Sequence, residues 1–256
     1  MSFLSLAGVE FQKIRRSKIL LILILATVIL WIPSILNADF NFNMQAEGIS
    51  PENNFFVQGF MAMAWFIFPA TMVVITVLQT QTERSHHGIL KMLALPVNTA
   101  KLCMAKFAVL VSFSAIQFLM STGMYYISAA IAGSMQNYSF ILPPLFIFKE
   151  VGMMWASAIP MLAFFWLLAV CIQTPIFSIG IGLASIVPSL LILNTEVWFA
   201  YPMVYPFFVI SAEYGKLAAN LSTVKVDLIP WLPVAAVITA VCLMISCTRF
   251  GQAERR

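Results

Sequence analysis

Charged residues are scarce in this chain. Asp, Glu, Lys and Arg make up only 9% of the 256 residues, whereas hydrophobic residues make up 61%. A soluble domain carries about 25% charged and about 45 to 50% apolar residues, so this composition cannot cover a water-facing surface. The apolar residues also fall in runs of about 18 to 30, the length that a helix needs to cross a hydrocarbon core of about 30 Å. The composition therefore predicts one all-α membrane domain over residues 1–256.

Recognisable catalytic motifs are lacking as well. The sequence contains no G-x-x-x-x-G-K-[ST] loop for nucleotide phosphates and no H-E-x-x-H zinc motif. Its four cysteines show no C-x-x-C spacing, so neither a zinc site nor a disulfide framework is expected. We therefore expect this chain to have no catalytic residue and to bind no metal and no cofactor of its own.

Six apolar runs are long enough to cross a membrane. They lie at about 19–36, 55–79, 107–132, 151–172, 175–193 and 229–247. The first run is longer than the apolar part of a cleaved signal, which has about 7 to 15 residues, so we expect it to be retained. Residues 196–214 are apolar and aromatic but contain Pro202 and Pro206, which predicts a re-entrant or interfacial segment before the last span.

The interiors of these six runs hold no Asp, Glu, Lys, Arg or His. Proton-coupled carriers place ionisable groups inside the membrane, so this absence disfavours them. It disfavours an intramembrane enzyme for the same reason. If the protein moves a substrate uphill, we expect the energy to come from a partner.

Basic residues are concentrated in alternate connections between the runs. Eleven of the fourteen Lys and Arg residues precede the first run, separate the second from the third, or follow the sixth. The positive-inside rule places these segments, and with them both termini, on the cytoplasmic side of the cell membrane. Before the first run, Phe3, Ala7, Phe11 and Ile14 recur at helical spacing, with Glu10 on another face. Residues 1–17 are therefore predicted to form an amphipathic helix on the inner leaflet.

The cytoplasmic loop at 80–103 is the most informative segment. A stretch rich in helix-forming residues ends near Leu95, and Pro96 closes it. Asn98 or Thr99 is placed to cap the helix that becomes the third span. This pattern predicts a short coupling helix that lies across the cytoplasmic face of the membrane and offers a lever to a soluble partner.

This loop resembles that of the permease subunits of ATP-driven (ABC) exporters, in the class with six spans and no fused ATPase. The matching residues are Glu83, Gly88, Ile89, Leu90, Lys91, Met92, Leu93, Leu95, Pro96 and Lys101. The resemblance implies that a cytoplasmic dimer of P-loop ATPases, which binds the ATP and the Mg²⁺, grips the coupling helix through these residues. It also implies a second permease, either identical or paralogous.

The size of the chain and its segments 32–43 and 245–256 resemble the bacteriocin (lantibiotic) immunity permeases of Gram-positive bacteria. That resemblance implies an exporter that removes a hydrophobic, cationic peptide antibiotic from the lipid bilayer and so confers resistance. Two alternatives stay open: an exporter of a different lipid-soluble substrate, and a membrane sensor that signals through its ATPase. No nucleic-acid partner is expected.

Two groups of polar residues are candidates for contact with a substrate or a second permease. The first is a stripe on the third run, formed by Ser114, Gln117, Ser121 and Tyr125. Because these residues recur at steps of three and four, they share one helix face, which either lines a pathway or seam or packs inside the subunit. The second group is acidic and lies on the outer side: Glu150, Glu196, Glu213 and Asp227. These acids either attract a cationic peptide or only mark the outer side.

Overall fold

Within the residues that the structure describes, all regular structure is helical. The computed structural model describes residues 3–15, 18–43, 48–84, 98–218 and 228–250. The α-helices are Phe3–Arg15, Ile19–Leu36, Phe40–Asn43, Pro51–Ala62, Phe68–Arg84, Thr99–Gln136, Pro144–Ser157, Ile159–Cys171, Pro175–Ala184, Ser189–Ile192, Tyr205–Leu217 and Leu228–Phe250. A π-helical turn at Met63–Ile67 joins two of them, and a short 3-10 turn lies at Trp198–Ala200.

Six helical segments of the described chain are long and apolar enough to span a membrane. In chain order they are Ile19–Leu36, Pro51–Gln81, Thr99–Gln136, Pro144–Cys171, Pro175–Ile192 and Leu228–Phe250, here called the first to sixth spans. The prediction of an all-α fold with six spans is therefore confirmed. The end of the bundle that carries Asn98 and Phe250 is called the inner end, following the bias of the basic residues, and the opposite end is the outer end.

The core of the bundle is aromatic. Trp31 of the first span is fully buried, and its ring centroid lies 5.5 Å from that of Phe60 and 5.8 Å from that of Tyr125. Gly59 makes this contact possible, because a Cβ at that position would lie 2.6 Å from the Trp31 ring. Aromatic pairs at these separations stabilise the packing beyond the area that they bury.

Proline accompanies a break in the fourth span and in the fifth span. The fourth span is interrupted at Ala158, next to Ile159 and Pro160, and the fifth span is interrupted by a turn that ends at Pro188. Proline removes a backbone donor and crowds the preceding turn, so a break just before it is expected.

The third and fourth spans begin earlier than the hydropathy runs. The third starts at Thr99, where the Asn98 side-chain oxygen accepts hydrogen bonds from the backbone N–H groups of Ala100 (2.9 Å) and Lys101 (3.4 Å), which confirms the predicted cap. The fourth starts at Pro144, a residue suited to the first helical turn. Lys106 and Glu150 consequently lie within the helices of the third and fourth spans, just outside the apolar runs that the sequence predicts.

The segment predicted to be re-entrant forms the 3-10 turn and the helix Tyr205–Leu217, which we call the outer helix. It has thirteen residues, so it is about 20 Å long and too short to cross a bilayer. Its residues are mostly buried against the start of the fourth span and the start of the second. The outer helix therefore closes the outer end of the bundle without adding a seventh crossing.

The N-terminal helix Phe3–Arg15 forms as predicted and packs along the third span. Phe3 and Phe11, on its predicted apolar face, are 43% and 39% exposed. Leu6 and Glu10 are instead buried towards the third span. The helix therefore turns an apolar face outward, which suits a position on the lipid surface, and turns a carboxylate inward.

Candidate functional site

Two carboxylates meet at the outer end of the bundle. Glu150 of the fourth span is 1% exposed, and Glu213 of the outer helix is 7% exposed. Glu213 accepts a hydrogen bond of 2.8 Å from Lys216, and it lies near enough to Glu150 for the two like charges to repel. The sequence placed both residues on the outer side, and the structure brings them together because the outer helix packs against the fourth span.

Glu150 is the less compensated of the two. Its Oε1 atom lies 3.5 Å from the Lys149 ammonium, but that lysine side chain is 67% exposed. Neither Glu150 carboxylate oxygen has a hydrogen-bond partner among the described residues. A buried carboxylate without a donor is costly, and such groups mark functional sites in membrane proteins.

Glu150 lines a cavity of about 340 Å³ between the fourth span, the outer helix and the sixth span. The other side chains on its wall include Met153, Tyr205, Lys216, Leu228, Trp231 and Leu232. Trp231 is buried, and its indole N–H has no hydrogen-bond partner among the described residues. The cavity is thus apolar apart from a few polar groups, which is the usual make-up of a ligand site.

A larger cavity, of about 490 Å³, lies between the first and second spans beside the π-helical turn. The Asn side chains on its wall are hydrogen-bonded within the protein, whereas the Trp65 indole N–H has no hydrogen-bond partner among the described residues. Asn54 donates to the Asn41 side chain at 2.8 Å, and the Asn37 side chain donates to the Pro33 carbonyl at 3.0 Å. This cavity therefore shows no buried charge that calls for a ligand.

The polar stripe of the third span faces the interior of the subunit. Its four residues, Ser114, Gln117, Ser121 and Tyr125, are at most 1% exposed. The Trp155 indole donates to Ser114 at 3.0 Å, and the Tyr125 hydroxyl donates to the Phe140 carbonyl at 2.9 Å while it accepts from the Leu142 N–H at 3.0 Å. This placement favours the packing alternative, since none of the four reaches the outside of the bundle.

An ion pair that the sequence analysis missed lies near the inner end. The Lys106 ammonium donates to the Glu10 carboxylate at 2.5 Å, and the two side chains are 1% and 2% exposed. The pair fixes the N-terminal helix to the third span. A charge at Glu10, four residues after the apolar Leu6 on the same helix face, is the sequence signal that could have revealed it.

The residues expected to contact the ATPase lie almost wholly outside the described residues. The residues in question are Gly88, Ile89, Leu90, Lys91, Leu93 and Pro96. Asp227, one of the four outer acids, also lies outside the described residues. Glu83 lies in the last turn of the helix Phe68–Arg84, whose backbone alone is described there. Glu196 is exposed at the outer end.

Comparison with known proteins identifies the family. A family model for the ABC-2 family transporter protein matches residues 6–189, more than two thirds of the chain. No curated protein and no solved structure gives a match. Members of this family are membrane subunits that typically do not themselves catalyse ATP hydrolysis and that associate with an ATPase. The chain therefore belongs to the ABC-2 transporter family, as a multi-pass permease component of an ABC transporter.

Proposed function

We propose that this permease removes a membrane-active, cationic peptide of the lantibiotic kind from the outer leaflet and so protects the cell that makes or meets it. Family membership, which implies ATP-driven export, is the observation that carries the proposal. The buried Glu150 carboxylate at the outer end, which accepts no hydrogen bond from the described residues, supports a cationic substrate, because such a carboxylate attracts opposite charge.

The energy comes from a cytoplasmic P-loop ATPase dimer that binds the ATP and Mg²⁺. It engages the segment 80–103, with Glu83, Gly88, Ile89, Leu90, Lys91, Leu93 and Pro96 as the contacts that the resemblance implies. A second permease, identical or paralogous, completes the transporter. The substrate leaves laterally along the lipid-facing side of the bundle, since the polar stripe of the third span packs within the subunit.

Reconstitution tests this proposal. The permease is purified in mild detergent with whatever co-purifies, placed in liposomes, and given ATP and a fluorescent cationic amphipathic peptide in the outer leaflet. We expect a P-loop ATPase to co-purify and the peptide to leave the membrane only when ATP is hydrolysed. A partner variant that binds but does not hydrolyse ATP is the control.

Two results would contradict it. Purification of this chain alone, repeated from intact membranes, would remove the ATPase partner from the proposal. Peptide-stimulated ATP hydrolysis without loss of peptide from the membrane would instead favour the sensor.

A further inference from the structure

We propose that the cavity at Glu150 binds a primary ammonium group carried on an apolar chain. This deepens the proposed function and rests on it for the claim that the bound group belongs to the cargo. The chemistry is shared by a lysine side chain of an amphipathic peptide and by the headgroup of an aminolipid. The argument for the site itself comes from the geometry of the cavity.

At the polar end of the cavity, the Glu150 carboxylate lacks a hydrogen-bond donor. Glu150 is 1% exposed, and neither of its carboxylate oxygens has a hydrogen-bond partner among the described residues. Lys149 approaches only to 3.5 Å and extends outward, and Lys216 is committed to Glu213. An ammonium group has three donors and a positive charge, so it matches what Glu150 lacks.

The aromatic wall suits the same ligand. Tyr205 and Trp231 both line the cavity, and their ring centroids lie 5.6 Å apart. Ammonium groups are attracted to the faces of such rings, most strongly to that of tryptophan. The carboxylate and the rings come from three different elements, so the cavity exists only where the fourth span, the outer helix and the sixth span come together.

The remaining wall is apolar and opens to the outside of the bundle. Met153, Leu228 and Leu232 line the cavity, yet they are 38%, 55% and 53% exposed. An apolar chain attached to the ammonium group can therefore lie along these residues and continue into the lipid. A volume of about 340 Å³ lies near the lower end of the range for small-ligand sites, about 300 to 1,000 Å³, so the cavity takes one side chain or headgroup and not a folded peptide.

Tryptophan fluorescence measures this binding directly. The permease is placed in phosphatidylcholine nanodiscs without ATPase and titrated with bromohexylamine, whose bromine quenches indole on contact. We expect a saturable quenching component that is absent in Trp231→Phe. Bromohexanol, which has the same chain without the charge, should show no such component.

Substitutions then test the residues. Glu150→Gln keeps the size of the side chain and removes its charge, and we expect it to weaken bromohexylamine binding by about tenfold or more, as for loss of a hydrogen bond to a charged group. Glu196→Gln, an equal charge change on an exposed outer acid, should bind as the unaltered protein does. Ala235→Leu, which fills the cavity and leaves both carboxylates in place, should also weaken binding.

Each result separates the possibilities. Equal binding by Glu150→Gln or by Ala235→Leu, in protein that elutes as the unaltered chain does, would overturn the site, and so would equal quenching by bromohexanol. Competition by a Leu- and Lys-containing peptide would identify a lysine as the natural ligand, and competition by phosphatidylethanolamine in the nanodisc would identify an aminolipid. Because the assay contains no ATPase, its failure leaves ATP-driven export standing, and failed export leaves the site standing.

Discussion

At the residue scale, the Glu10–Lys106 ion pair holds two elements together at the inner end. Both side chains are almost fully buried, and the ammonium and carboxylate lie 2.5 Å apart. Gln79 of the second span also donates to the Lys106 carbonyl at 3.0 Å, so Lys106 lies where the N-terminal helix and two spans meet. A charge buried in this way lowers the stability of the fold unless an opposite charge compensates it.

Removal of one member of this pair should be much worse than removal of both. Glu10→Gln leaves a buried ammonium without its carboxylate, and we expect it to lower the free energy of unfolding by about 3 to 5 kcal/mol. The double variant Glu10→Gln with Lys106→Met leaves no unpaired charged group in the interior and should recover most of that loss. Thermal unfolding in mild detergent compares the variants; equal midpoints for the single variant and the unaltered protein would contradict this role for the pair.

Tyr138 offers a prediction about pH at the outer end. Its hydroxyl donates to Glu52, and this hydrogen bond, together with burial and the nearby carboxylate charge, raises the pKa of Tyr138 from 10.0 to about 12. Because the folded pKa is the higher one, the bond stabilises the fold below about pH 10 and loses this effect as the pH rises through about 12. The phenolate absorbance of the unaltered protein minus that of Tyr138→Phe should therefore titrate near pH 12, and a midpoint near 10 would contradict the bond.

At the scale of elements, glycine sets how closely two spans approach. A Cβ at Gly182 in the fifth span would lie 2.7 Å from Cγ1 of Val73 in the second span. Val73 is buried and β-branched, so its side chain has little freedom to move away. Gly182 of the fifth span thus serves packing within the subunit.

Alanine at Gly182 should disturb this contact. We expect Gly182→Ala to cost about 1 to 3 kcal/mol of stability, the usual cost of overpacking a well-filled core. Gly180→Ala is the matched control, because it lies in the same helix and a Cβ there meets nothing within 4 Å. Thermal unfolding of the two variants side by side makes the test, and equal stability would show that the fifth span does not pack on the second in this way.

The sequence predicts the existence of the spans better than it predicts where they begin and which charged residues are buried at their ends. The first span begins and ends where its apolar run does, because lipid and length alone determine it. The third and fourth spans begin at Thr99, after the Asn98 cap, and at Pro144, because caps and prolines, rather than hydropathy, start a helix. An apolar run ends at its first charge, so the same approach left Lys106 and Glu150 outside the predicted spans, and their burial depends on partners distant in sequence.

At the scale of the whole molecule, one long helix connects the inner and outer ends of the bundle. The third span has thirty-eight residues, which makes it about 57 Å long. It begins at Thr99, within the loop at 80–103 that we call the coupling segment. It carries Lys106 near the inner end and Tyr125 in the aromatic core, and it contacts the N-terminal helix and the first, second, fourth and sixth spans. Movement of the coupling segment is therefore expected to reach the outer end through this helix.

Changes in the coupling segment should thus impair export without preventing ATP hydrolysis by the partner. We expect Glu83→Ala and Gly88→Pro each to leave the permease in the membrane with its ATPase bound and hydrolysing ATP, while export of a cationic peptide from proteoliposomes falls by about tenfold or more, as when an interaction of about 1.4 kcal/mol is lost. Gly123→Ala is the control, since a Cβ at that position in the third span meets nothing within 4 Å. If both coupling variants export at the unaltered rate at equal expression, the ATPase contacts a different part of the chain. Loss of ATP hydrolysis together with export would instead mean that this segment is needed to activate the ATPase, and not only to transmit its movement.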